Sequence, residues 1–196
     1  MEDIAVLRMI RRALILEYLT LVWNGIGTAI LAFASWEAGS IALAGFGLDS
    51  LVEILASVVV VWELKGTGLG REKKALRIIC VAFFSLAAYV LAQSMRSFLA
   101  ASRPETSPLG IVWLALTVVT MLLLALGKAR TGAVLGNDVL KTEARVTLVD
   151  AFLAASVLLG LVLNALLGWW WADPLAGLVL VVYGLIEGRH AWNAGS

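Results

Sequence analysis

Residues 41–64 read IALAGFGLDSLVEILASVVVVWEL, an apolar run long enough to cross a bilayer that nevertheless carries two carboxylates, Asp49 and Glu53, near its middle. About 20 apolar residues in helical form cross the hydrocarbon core. Only a helix or a closed barrel satisfies every backbone polar group there, and a run of this length without strand alternation is a helix. Four residues separate the two acids, which stacks both carboxylates on one helix face.

The rest of the chain has the same character. Over 196 residues, 61% are hydrophobic and 15% charged, and the mean hydropathy is +0.94. Ordinary soluble domains hold roughly 45–50% apolar residues, so lipid contact is the simplest account. Further runs of spanning length place six transmembrane helices near residues 13–34, 41–64, 76–99, 109–126, 140–167 and 174–189. The prediction is an all-α integral membrane protein, a single six-helix domain over 1–196. A net charge of +1 gives no basic excess that would recruit nucleic acid.

Orientation follows from the basic residues. Arg8, Arg11 and Arg12 precede the first span, Lys65, Arg71, Lys73, Lys74 and Arg77 surround the second connection, and Lys128, Arg130, Lys141 and Arg145 surround the fourth. With Arg189, thirteen of fifteen Lys and Arg residues fall on one side, against Arg96 and Arg103 on the other. The positive-inside rule then puts both termini in the cytoplasm, as a multi-pass protein of the plasma membrane. Trp36, Trp62, Trp192 and the run Trp169 to Trp171 fall at predicted helix ends, where an amphipathic ring suits the headgroup layer. The arginines before an apolar stretch ending Ala32-Phe33-Ala34 also fit a cleaved signal peptide. The length of that stretch, and Glu17 and Asn24 within it, favour a retained helix.

An internal echo singles out the acids. Leu51-Val52-Glu53 recurs as Leu148-Val149-Asp150, about half the chain away, and both lead into apolar runs holding Ser57 or Ser156. Three helices per half would make the halves inverted in the membrane, an arrangement that places a substrate near the midplane at the repeat interface. Ionisable groups at that depth are costly unless paired, hydrated or bound to a cation. A divalent cation would relieve the repulsion between Asp49 and Glu53 and leave room for a ligand from another helix, for which Asp150 is the candidate. Glu143 shares the face of Asp150, with Thr147 between them. In the first helix Glu17, Thr20 and Asn24 form a polar stripe that either lines an ion path or hydrogen-bonds between helices. Glu17 has a further alternative in Arg11 or Arg12.

Other polar residues read as structural. Asp173 before Pro174 is expected to be the N-cap of the last helix, Gln93 an interfacial or helix-contact residue, His190 a surface residue, and Cys80 a buried small hydrophobe that no intrachain disulfide can use.

At these residues the sequence resembles the transmembrane domain of the cation diffusion facilitator family, whose members exchange zinc or related divalent ions for protons. Residues 40–57, from Ser40 through Gly45-Phe46-Gly47-Leu48-Asp49 to Ser57, look like the family's second helix, in which an Asp or His and an Asp four residues later bind metal. Those positions fall on Asp49 and Glu53. Glu143 to Ala151 is similar to the fifth helix, with the metal aspartate on Asp150, and Trp171-Ala172-Asp173-Pro174-Leu175-Ala176-Gly177 looks like the entry to the sixth. The resemblance implies a six-helix cation efflux bundle that works as a homodimer, with divalent cation and protons as its cargo and no resident cofactor.

Three departures narrow that implication. Val146 stands where many members have a fifth-helix His or Asp, the chain stops after the sixth helix where the family continues into a cytoplasmic domain, and the fourth connection lacks the histidine-rich tract of many zinc transporters. Water, Asn24 or Glu143 could complete the shell. Zinc follows from the resemblance, whereas an all-oxygen shell also suits manganese or iron(II). Two further readings compete: a metal-binding or regulatory membrane protein that does not transport, and an intramembrane aspartyl protease. Gly45-Phe46-Gly47-Leu48-Asp49 only approximates the Gly-x-Gly-Asp signature of such proteases, with one residue too many, so no enzyme is expected.

Overall fold

The computed structural model describes residues 2–64, 72–101 and 103–194. These residues form six α-helices and no strand: α1 (Glu2–Ala38), α2 (Ile41–Leu64), α3 (Glu72–Ala100), α4 (Pro108–Leu135), α5 (Asp138–Leu167) and α6 (Ala172–Ala194). Even the shortest, α6, has 23 residues, more than the roughly 20 needed to cross a hydrocarbon core. By length and composition together, the described residues contain three clear spans, Val6–Ala38, Pro108–Leu135 and Glu143–Leu167.

Five helices extend beyond the limits read from hydropathy, because hydropathy marks only the lipid-facing length while backbone hydrogen bonding carries a helix on until a cap stops it. The largest change is at the fourth connection. There α4 continues through Lys128 to Leu135, and only Gly136 and Asn137 separate it from α5. Gly136 adopts φ +65° and closes α4, its N–H donating toward Ala133 and Gly132 carbonyls. Asn137 then caps α5 by accepting from the Leu140 N–H at 2.8 Å. A left-handed glycine followed by an N-cap asparagine is a compact helix-to-helix turn. Lys65 and Arg71 of the expected second basic connection lie outside the described residues.

Helices α1, α2, α5 and α4 pack in a closed ring, each against the next, while α3 and α6 pair with each other and attach through α2 and α5. Every helix of the first half touches its counterpart in the second, α1 with α4, α2 with α5 and α3 with α6. One apolar core draws on all six, including Leu31, Phe46, Val90, Leu114, Val157 and Leu180. Cys80 is buried in it. Close approach around α2 depends on small residues: a Cβ on Gly45 would stand 2.9 Å from a Val90 methyl and 3.0 Å from a Leu180 methyl. Such contacts let backbones approach where lipid supplies no hydrophobic drive between helices. At the far end of α1, Trp36 is 90% exposed, and Trp169 and Trp171 stack at 4.9 Å in the turn before α6.

Asp173 is structural, but not as expected. Helix α6 starts one residue earlier, at Ala172, and the Asp173 carboxylate turns to the N-terminus of α2. It accepts from the Ser40 hydroxyl, from the Ile41 N–H at 3.0 Å and from the Ala42 N–H at 3.4 Å, and Ser40 in turn accepts from the Leu43 N–H. Two free N–H groups at a helix start and the positive end of its dipole outweigh a local cap for this carboxylate. Asp173→Ala is therefore expected to lower stability by about 1–3 kcal/mol, read as a fall in thermal midpoint in detergent, and Asp173→Asn by less. An unchanged midpoint in the alanine variant would contradict the cap.

Candidate functional site

The helical repeat of 3.6 residues arranges the polar residues of four helices into buried stripes. On α1 the stripe is Glu17, Thr20 and Asn24, on α2 Asp49, Glu53 and Ser57, and on α5 Glu143, Thr147 and Asp150, all of them buried. Helix α4 completes the set through the buried series Leu114, Thr117, Met121, Leu124, Lys128 and Thr131. Because these helices form a closed ring, the stripes face one another in its interior.

At one level three carboxyl groups meet. Asp150 from α5 lies close enough to interact electrostatically with both Asp49 and Glu53 of α2. The Asn24 amide of α1 donates to Glu53 Oε2 at 3.0 Å, so Asn24 is both an interhelical bond and part of the group. Both Asp150 oxygens and Glu53 Oε1 are buried without a hydrogen-bond donor. Tyr183 of α6, also buried, lies near enough to interact electrostatically with Asp49, Glu53 and Asp150. Val146, one turn before Asp150, is half-buried and brings no donor atom. Among the described residues no three His, Cys, Asp or Glu side chains stand as a ready-made metal shell. The carboxyl groups are neighbours whose oxygens would have to rotate toward a common point to bind a cation together.

A second level is built around a residue that sequence reading placed on the cytoplasmic surface. Lys128 is fully buried, its ammonium 2.9 Å from Glu143 Oε1 and 3.2 Å from Glu17 Oε2, and it donates to Thr147 Oγ1 at 3.0 Å. Ser57 of α2 donates to the same Glu143 oxygen at 3.1 Å. The partner of Glu17 is thus Lys128, while Arg11 and Arg12 are exposed. Thr20 leaves the group by bonding back to the Leu16 carbonyl at 3.1 Å. Glu53 links the levels, since Lys128 and Glu143 both act on it electrostatically.

Two signals could have located Lys128. It continues the three-and-four spacing of Thr117, Met121 and Leu124, and Glu17 and Glu143 are two deep acids that need a cation. Away from the ring, His190 is 67% exposed beside Glu187, and Gln93 is half-buried on α3 in a groove with Thr28, Ser35 and Trp36.

The two levels predict different costs. Lys128→Met leaves two buried carboxylates without their cation and should lower stability by about 3–5 kcal/mol, with part of the loss recovered in Lys128→Met/Glu143→Gln. Asn24→Leu removes one donor from Glu53 and should cost about 1–3 kcal/mol. Unfolding midpoints of the purified variants in chelator check both, and additive losses for Lys128 and Glu143 would contradict the pairing.

The family model of the cation efflux transmembrane domain matches residues 18–194. The cation-efflux pump FieF of Shewanella oneidensis is 27% identical over 199 residues, an alignment that takes in 96% of this chain and 64% of the pump, so the chain spans less than two thirds of that relative's length. With the match running from within α1 to the end of α6, the chain belongs to the cation efflux family, through that family's transmembrane domain.

Proposed function

We propose that this protein carries divalent metal cations across a membrane, binding them through Asp49, Glu53 and Asp150 and exchanging them for protons. The observation that carries this reading is the meeting of three buried carboxyl groups from α2 and α5, the two helices that carry the echoed Leu-Val-acid sequence. Carboxyl groups with no donor in a packed interior are expensive to keep unless a proton or a cation satisfies them. The same oxygens can hold either, so entry of metal displaces protons and departure of metal restores them. Membership of the cation efflux family supports the reading, as does the likeness to a cation-efflux pump.

Zinc is the cargo that the family resemblance favours. The donors themselves are oxygens, and Val146 adds none, so manganese and iron(II) fit the same shell. The protein acts as a carrier and not as an enzyme: Asp49 and Asp150 share their space with Glu53 and Asn24, a set suited to a cation rather than to a dyad that activates one water. The gathering of Arg8, Arg11, Arg12, Arg130, Arg145 and Arg189 on one side of the spans supports cytoplasmic termini, and a plasma-membrane setting belongs to the same proposal. Assembly as a homodimer belongs to the same reading. A binding or regulatory protein that does not transport is the second reading, favoured by the open shell at Val146.

Proteoliposomes separate these readings. Metal moving inward down its gradient should be matched by a rise in luminal pH as protons leave, and Asp49→Ala and Asp150→Ala should each cut the flux at least tenfold. A metal flux with no luminal pH change would overturn proton exchange, unchanged flux in both variants would overturn the site, and metal binding without flux would establish the second reading.

A further inference from the structure

Lys128 is not needed to describe how Asp49, Glu53 and Asp150 bind a cation, yet it is fully buried in the same ring. Its surroundings are those of a cation site. Carboxylates from two helices, Glu17 of α1 and Glu143 of α5, lie 3.2 and 2.9 Å from the ammonium, with the Thr147 hydroxyl at 3.0 Å and the Ser57 hydroxyl on the same Glu143 oxygen. One ammonium does not use all that is there. Glu17 is fully buried and its Oε1 has no donor, and a single ammonium serves carboxyl groups from two different helices.

We propose that the Lys128 ammonium is a resident cation filling a second divalent-cation site made by Glu17, Glu143, Ser57 and Thr147, and that its presence confines metal to Asp49, Glu53 and Asp150. The confinement half rests on the function proposed above; the occupied second site does not. An ammonium offers donors but cannot leave, so it occupies these carboxyl groups and keeps them from competing for the cargo. Its positive charge also bears on Glu53, so the balance between Lys128 and its two acids sets how strongly the neighbouring group attracts a divalent ion.

Equilibrium dialysis of Mn2+ against the purified full chain in detergent tests this. Wild type should bind a single ion per chain. Lys128→Met should bind a second, and its thermal midpoint should rise with added Mn2+ by more than that of wild type. Lys128→Met/Glu17→Gln/Glu143→Gln should return to a single ion, while Lys128→Met/Asp49→Ala/Asp150→Ala should keep a single ion at the second site. A folded Lys128→Met that binds no more than wild type overturns the proposal, even where wild-type binding through Asp49 and Asp150 stands. Conversely, no binding by wild type but binding by Lys128→Met that is lost with Glu17→Gln and Glu143→Gln supports the second site and removes the Asp49 group as a metal site.

Should Lys128→Met fail to fold, Glu143→Gln gives an independent reading. It leaves the ammonium less neutralised beside Glu53, so Mn2+ affinity should fall about tenfold, and Lys128→Met/Glu143→Gln should return to within about threefold of wild type. Unchanged affinity in a folded Glu143→Gln variant overturns the proposal.

Discussion

Charge held inside a helical ring is the constraint on which the rest of this structure depends. Two buried carboxylates and one ammonium tie α1, α4 and α5 together at the level of Lys128, and three carboxyl groups meet between α2 and α5 one level away. Neither group tolerates lipid. A helix that rotated by a quarter turn would carry an acid or a lysine toward the hydrocarbon, at a cost of several kcal/mol, so the polar stripes fix the rotation of all four ring helices. Apolar packing alone would not, because a leucine turned outward meets a medium as apolar as the interior it left.

The helices outside the ring serve a different end. Pairing of α3 with α6, and the close approach of both to Gly45 on α2, presses α2 inward against α5. Asp173 reinforces this by binding the free N–H groups at the start of α2 from the first turn of α6. Thus α2, which carries Asp49 and Glu53, is held near its start by close contacts at Gly45 and at its first N–H groups by a carboxylate. Placement of the two acids is a property of the helices packed around α2 rather than of α2 alone.

The echo between the halves takes on physical content in this packing. Glu53 and Asp150, which match in the repeat, lie side by side, and each helix touches its counterpart in the other half. The echoed acidic position thus supplies one carboxyl from each of two contacting helices. The ammonium breaks the equivalence. Lys128 on α4 opposes Glu17 on α1, so one level of the ring holds an ammonium among its acids and the other holds carboxyl groups alone.

Length and apolar content determined the six helices, and the four-residue spacing of Asp49 and Glu53, with the echo at Asp150, determined which carboxylates belong together. These were legible because they depend on the local period of a helix and on the cost of charge in lipid, both of which act within one segment. Asn24 and Glu143 were legible as members of polar stripes, though not as partners of Glu53 and Lys128. Tertiary structure decided the rest: that α4 carries Lys128 inward instead of ending before it, that Glu17 reaches across to that lysine and not to the nearby arginines, and that Asp173 caps the second helix. The physical reason is shared. A lysine near the end of an apolar run suits the cytoplasmic surface and a buried acid pair equally well by composition, and only the packing of four helices into a ring supplies the two carboxylates that make burial the lower-energy choice.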